Sequence, residues 1–136
     1  MTSTTDCSCG RQLSYYLGLS PAKQVGFDAI ELGCGIVLPS SLAGLCGATK
    51  VYLTDRANFA DVQLNAEANI KFNDLQGRAE FIPLTWVNMH VLDDIIAVFK
   101  TVKGILAANC FYQSEGKHFD NSQNGLFRLT LEYVLP

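Results

Sequence analysis

The stretch FDAIELGCGIVLPS, residues 27–40, restricts the possible folds more than any other part of this 136-residue chain. Residues 27–33 read as a buried strand, Gly33 and Gly35 stand at its end, and Pro39 opens a helical segment. Glycine permits a tight turn with positive φ and lets a ligand approach the backbone closely. The first amides of a helix have no partner within it and can face a ligand. Proline suits that first turn, where its missing N–H costs little. Strand, glycine turn and helix in this order predict a parallel α/β unit with a ligand cradle at the strand's carboxyl end.

The rest of the chain continues the alternation. Strands are expected at 27–33, 50–55, 79–86 and 104–112, and helices at 38–48, 58–74, 90–102 and 125–135. Leu38, Leu42 and Leu45 share one face of the first helix; Phe59, Val62, Leu64, Ala66 and Ile70 lie broadly on one side of the second. In the third, Leu92, Ile95, Ile96 and Phe99 follow the i, i+3, i+4, i+7 spacing. Pro83 argues for an edge position of the third strand. This rhythm predicts a Rossmann-like, doubly wound, mostly parallel sheet with right-handed crossovers and helices on both faces. Residues 1–26 read as a leader without sustained periodicity, partly disordered, and 27–136 as the single domain.

Hydrophobic residues make up 49% of the chain, enough for one buried core. A net charge of −3 without a lysine or arginine run argues against nucleic acid as a direct partner. No apolar run approaches the roughly 20 residues of a membrane span, and the start lacks a secretory profile. The five cysteines are scattered, with Cys34, Cys46 and Cys110 in apolar segments. That pattern fits a reducing compartment, cytoplasm or nucleus, better than a disulfide framework. Cys7 and Cys9 form a C-x-C without a second ligand pair, so no metal site is expected. His90 and His118 have no identifiable partners and read as surface residues.

Two acids flank the glycine turn. Asp55 closes the second strand, 20 residues after Gly35, where an acid can accept both hydroxyls of a ribose; alternatively it caps the next helix. Glu31 precedes Gly33 by two residues and is either a partner for a cationic ligand or a satisfied structural acid. A dinucleotide would need a small residue at the third position of G-x-G-x-x-G, which is Leu38 here. A carboxylate beside the turn suits a sulfonium and an ammonium and repels a pyrophosphate. The charge pattern favours S-adenosylmethionine over a dinucleotide.

Three blocks carry a family resemblance. ELGCGIVLPSSLAGLCGATKVYLTD resembles the cofactor-binding half of the methyltransferase-like, seven-strand (class I) protein methyltransferases. FIPLTWVNM resembles their L-x-W segment, and ILAANCFYQSEGKHFDN their fourth-strand block. The resemblance implies transfer of a methyl group from S-adenosylmethionine to a lysine or arginine nitrogen of a protein, a histone or a chaperone. It implies that Glu31, Gly33 and Gly35 line the methionine and ribose part of the cofactor and that Asp55 takes the ribose hydroxyls. Trp86 would pack against adenine, its alternative being an ordinary core aromatic. Asn109, Phe111 and Tyr112 would face the transfer pocket, with Glu115 as a proton-accepting helper or simply a solvated loop acid.

The chain departs from that family in several places. Asn109 stands where the family has aspartate, and Ser40 where it has the glycine after the proline. About four strands of the incomplete methyltransferase fold precede Pro136, which reads as a C-terminal truncation and implies an exposed edge on the fourth strand, open to self-association. A non-catalytic binding or interaction module is therefore the alternative to an active methyltransferase.

Overall fold

A computed structural model describes residues 8–19, 26, 28–56, 60–84 and 102–108. In chain order the elements are α1 (Ser8–Leu19), β1 (Asp28–Leu32), α2 (Leu38–Leu45), β2 (Val51–Asp55), α3 (Ala60–Phe72), β3 (Ala79–Pro83) and β4 (Val102–Leu106). The four strands form one parallel sheet in the order β3-β2-β1-β4. From β1 the chain builds outward through β2 to β3, then returns to place β4 on the other flank. Strand order therefore reverses between β1 and β4, where open α/β sheets receive their ligands.

Burial explains why these strands read so clearly. Val51 and Leu53 of β2 join Val62 and Ala66 of α3, Val37 and Ala43 beside or within α2, and Leu75 in one apolar cluster. Ile30 and Leu32 of β1 alternate to the opposite face and are also fully buried, as central parallel strands require. Pro83 ends β3 at the sheet's edge, where its missing N–H breaks no ladder.

Several expectations are corrected. Residues 8–19, expected to be loose, form α1, which packs on α2. Its inward face is narrow: Leu17 is buried, Leu13 packs on the core, and Ser14 satisfies its hydroxyl on the Gly10 carbonyl at 2.8 Å. Tyr15, Tyr16 and Leu19 project outward and hide that period in the sequence. In α2 only Leu42 of the three leucines packs on the core; Leu38 and Leu45 are exposed, and Pro39, Ser40, Ala43 and Gly44 are the buried residues. At Gly44 the helix lies close against the Leu75 side chain, which leaves no room for a large residue there. In α3, Leu64 is exposed because it stands two positions from both Val62 and Ala66, on the far side at 3.6 residues per turn.

The third strand stops at Pro83 instead of residue 86. Val102 opens β4 instead of ending a helix, pairing with Asp28 across a register shift between Asp28 and Ala29. Strand β4 ends at Leu106, short of residue 112, and among the described residues its only strand neighbour is β1. The remainder of the helix expected at 90–102, the helix at 125–135, and Cys7, Phe59, His90, Cys110 and His118 lie outside the described residues.

Close packing at Gly44 sets a testable limit. A Cβ there would stand 3.0 Å from both Cδ atoms of the buried Leu75. Gly44→Val is expected to destabilise the chain by about 1–3 kcal/mol through overpacking. A urea midpoint unchanged from wild type would contradict that contact.

Candidate functional site

The turn after β1 is held by the end of β2. The Thr54 carbonyl accepts the Gly33 amide at 3.0 Å and the Cys34 amide at 2.9 Å. Asp55 Oδ2 accepts the Gly35 amide at 3.0 Å, and Oδ1 accepts the Arg56 amide at 2.8 Å. Thr54 Oγ1 donates to the Glu31 carbonyl at 2.6 Å. Gly33 and Gly35 both take left-handed conformations, φ 73° and 45°, which a side chain would disfavour. Asp55 thus holds the glycine turn directly. Residues 57–59, which join Asp55 and Arg56 to α3, lie outside the described residues, and so does the capping alternative for Asp55 at a helix start near Asn58.

Glu31 lies beneath the turn and is 2% exposed. Its Oε2 accepts the Ser40 amide at 3.1 Å and the Ser40 hydroxyl as well. This solves a local problem of α2. The residue before that helix is Val37, whose side chain has no acceptor, so the capping oxygen comes from the preceding strand. Val37 is itself left-handed at φ 60°, an uncommon state for a β-branched residue and a cost of roughly 1–2 kcal/mol. Its fully buried side chain offsets that cost.

Two buried carboxyl groups at one turn cannot both be charged cheaply. Burial pushes the Glu31 carboxyl up to about 8; the Ser40 hydrogen bonds pull it down, and Asp55 pushes it further up. Burial, reinforced by Glu31 and Asp55, also pushes the Cys34 thiol up, which leaves it unreactive. No group of three metal-ligating side chains occurs among the described residues.

Of the sequence-derived site residues, the structure brings Glu31, Gly33, Gly35 and Asp55 together at the carboxyl ends of β1 and β2. Trp86, Asn109, Phe111, Tyr112 and Glu115 lie outside the described residues. Sequence reasoning missed Thr54 and gave Ser40 no role. A polar β-branched residue inside an apolar strand marks the first; a helix that starts without a capping side chain marks the second.

Two curated relatives are histone-arginine methyltransferases named METTL23. The mouse protein is 31% identical over 107 residues, covering 79% of this chain and 40% of its own length. The Xenopus laevis protein is 32% identical over 115 residues, covering 83% and 45%. The chain therefore spans less than half the length of these curated relatives. Among solved structures, Arabidopsis thaliana protein arginine methyltransferase 10 matches with a TM-score of 0.46 and 19% identity, over 69% of this chain and 33% of that one. The Trypanosoma brucei PRMT1 enzyme-prozyme complex with AdoHcy gives 0.46 and 20%, over 71% and 38%. A sequence model described as lysine methyltransferase matches residues 9–126, which takes in all of α1 but its first residue and every strand of the sheet. By that match the chain belongs to the lysine methyltransferase family.

Proposed function

We propose that the chain binds S-adenosylmethionine at the β1 turn and serves the transfer of its methyl group to a lysine or arginine nitrogen of a protein. Histone arginine is the first target to test, because the curated relatives carry that name. One observation carries the cofactor assignment: Glu31 and Asp55 converge on a left-handed glycine turn at the carboxyl ends of adjacent parallel strands. The donor set fits the group, since acids beside a turn attract an ammonium and a sulfonium and repel phosphates.

Asp55 would take the ribose hydroxyls while keeping the turn in place, and Glu31 would face the cationic part. The cofactor supplies an electrophilic methyl group on a positively charged sulfur. The chain's own contribution is to fix that group and to shape the local field, so that a target nitrogen meets it in line. Tyr112 and Glu115 are the residues proposed to orient that nitrogen and share its proton.

A second reading, a module that binds cofactor without transferring, is favoured by Asn109. Asparagine keeps an acceptor but loses the charge that would hold a cationic target. Incubation with tritiated S-adenosylmethionine and histone H3 separates the two. Label in the histone is the expected result. Cofactor binding without label would favour the second reading, and absence of both would overturn each.

A further inference from the structure

Ser40 is buried at the third position of α2 and spends both its donors on a single oxygen, Glu31 Oε2. Among the described residues, Oε1 of the same carboxyl receives no hydrogen bond. The other groups around this carboxyl are Asp55 at the end of β2, Cys34 in the turn and, on β4, the apolar Leu106 in register with Glu31. Asp55 opposes ionisation of Glu31, and Ser40 promotes it. We propose that Ser40 is a positioning residue of the cofactor site, fixing Glu31 Oε2 so that the carboxyl can release its proton and meet a cationic ligand through Oε1.

This rests on the S-adenosylmethionine reading and extends it. Entry of a positive charge beside Glu31 favours the carboxylate, so binding near neutral pH displaces one proton to solvent. The hydroxyl of Ser40 lowers the cost of that ionisation. A hydrogen bond to a charged group is worth about 1.5–3 kcal/mol, or roughly ten- to a hundredfold in the ionisation equilibrium. A helix cap alone would need only the amide, which any residue at this position except proline provides.

Carboxyl carbon NMR of the ligand-free chain, labelled at glutamate, measures the first half. Ser40→Ala is expected to move the Glu31 titration upward by about one pH unit or more; Ser40→Gly, which also keeps the amide, should do the same. Unchanged titration in both variants would overturn the proposal. Calorimetry with S-adenosylmethionine in buffers of different ionisation heat measures the second half. Wild type should release close to one proton at pH 7, and Ser40→Ala should bind about tenfold more weakly there while approaching wild type above pH 9. A loss of affinity equal at all pH values would mean a merely structural role. A shifted titration in a chain that binds no S-adenosylmethionine would overturn the cofactor reading and reduce Ser40 to a helix cap.

Discussion

Glu31→Gln is expected to flatten the pH dependence of stability between about pH 4.5 and about pH 8 and to make the chain more stable than wild type at the upper end. In the folded chain the Glu31 carboxyl holds its proton to about 8, against an ordinary value of 4.5. Below the ordinary value both folded and unfolded chains are protonated, and the advantage of the buried neutral form is fully present. As pH rises through the window, the unfolded chain releases its proton and the folded chain keeps it, so stability falls. Each pH unit in that window costs about 1.4 kcal/mol, which brings the total to the order of 4 kcal/mol. Glutamine has no proton to lose and keeps an acceptor for the Ser40 amide. Urea unfolding at pH 5, 6.5 and 8 reads the slope directly. Equal slopes in variant and wild type would contradict the buried position of Glu31.

Asp55→Ala is expected to weaken S-adenosylmethionine binding by about a hundredfold or more. Two ribose hydroxyls donating to a carboxylate contribute about 1.5–3 kcal/mol each, and both are lost together. The same change removes the acceptor of the Gly35 amide, so the turn loosens as well. Asp55→Asn separates the contributions. It can keep the Gly35 bond through its amide oxygen, and it removes the charge that opposes ionisation of Glu31. Stability near wild type, a clear loss of affinity and a lower Glu31 titration are the expected combination. Unchanged affinity in both variants would remove Asp55 from the ribose site. Calorimetric titration provides the affinities.

The two central strands, β1 and β2, were legible because each is a short run buried almost throughout; β3 and β4 still read as strands from their apolar residues, although Glu80 and Lys103 are exposed. The glycine turn was legible for a similar reason: Gly33 and Gly35 occupy conformations that few other residues tolerate. Helix faces were harder to read. In α2 the sequence offers three leucines at helical spacing, of which only Leu42 packs on the core, while the small Ala43 and Gly44 are buried beside it. In α1 the inward residues, Leu13, Ser14 and Leu17, are outweighed in sequence by exposed tyrosines. At the site, spacing located Glu31 and Asp55 but not what they touch. The bond from Gly35 to Asp55 depends on strand register, and the bonds from Ser40 to Glu31 depend on how α2 settles on β1. Neither is written in local pattern. The charge on Glu31 is also conditional: sequence presents a fixed acid, whereas burial holds the proton on the carboxyl up to about 8.

Isothermal titration of the purified chain with S-adenosylmethionine, its demethylated product and NADH tests the cofactor assignment most directly. Saturable binding of the first two, without binding of NADH, is the predicted result. No heat from either sulfur compound, or preferential binding of the dinucleotide, would contradict the assignment of the glycine turn.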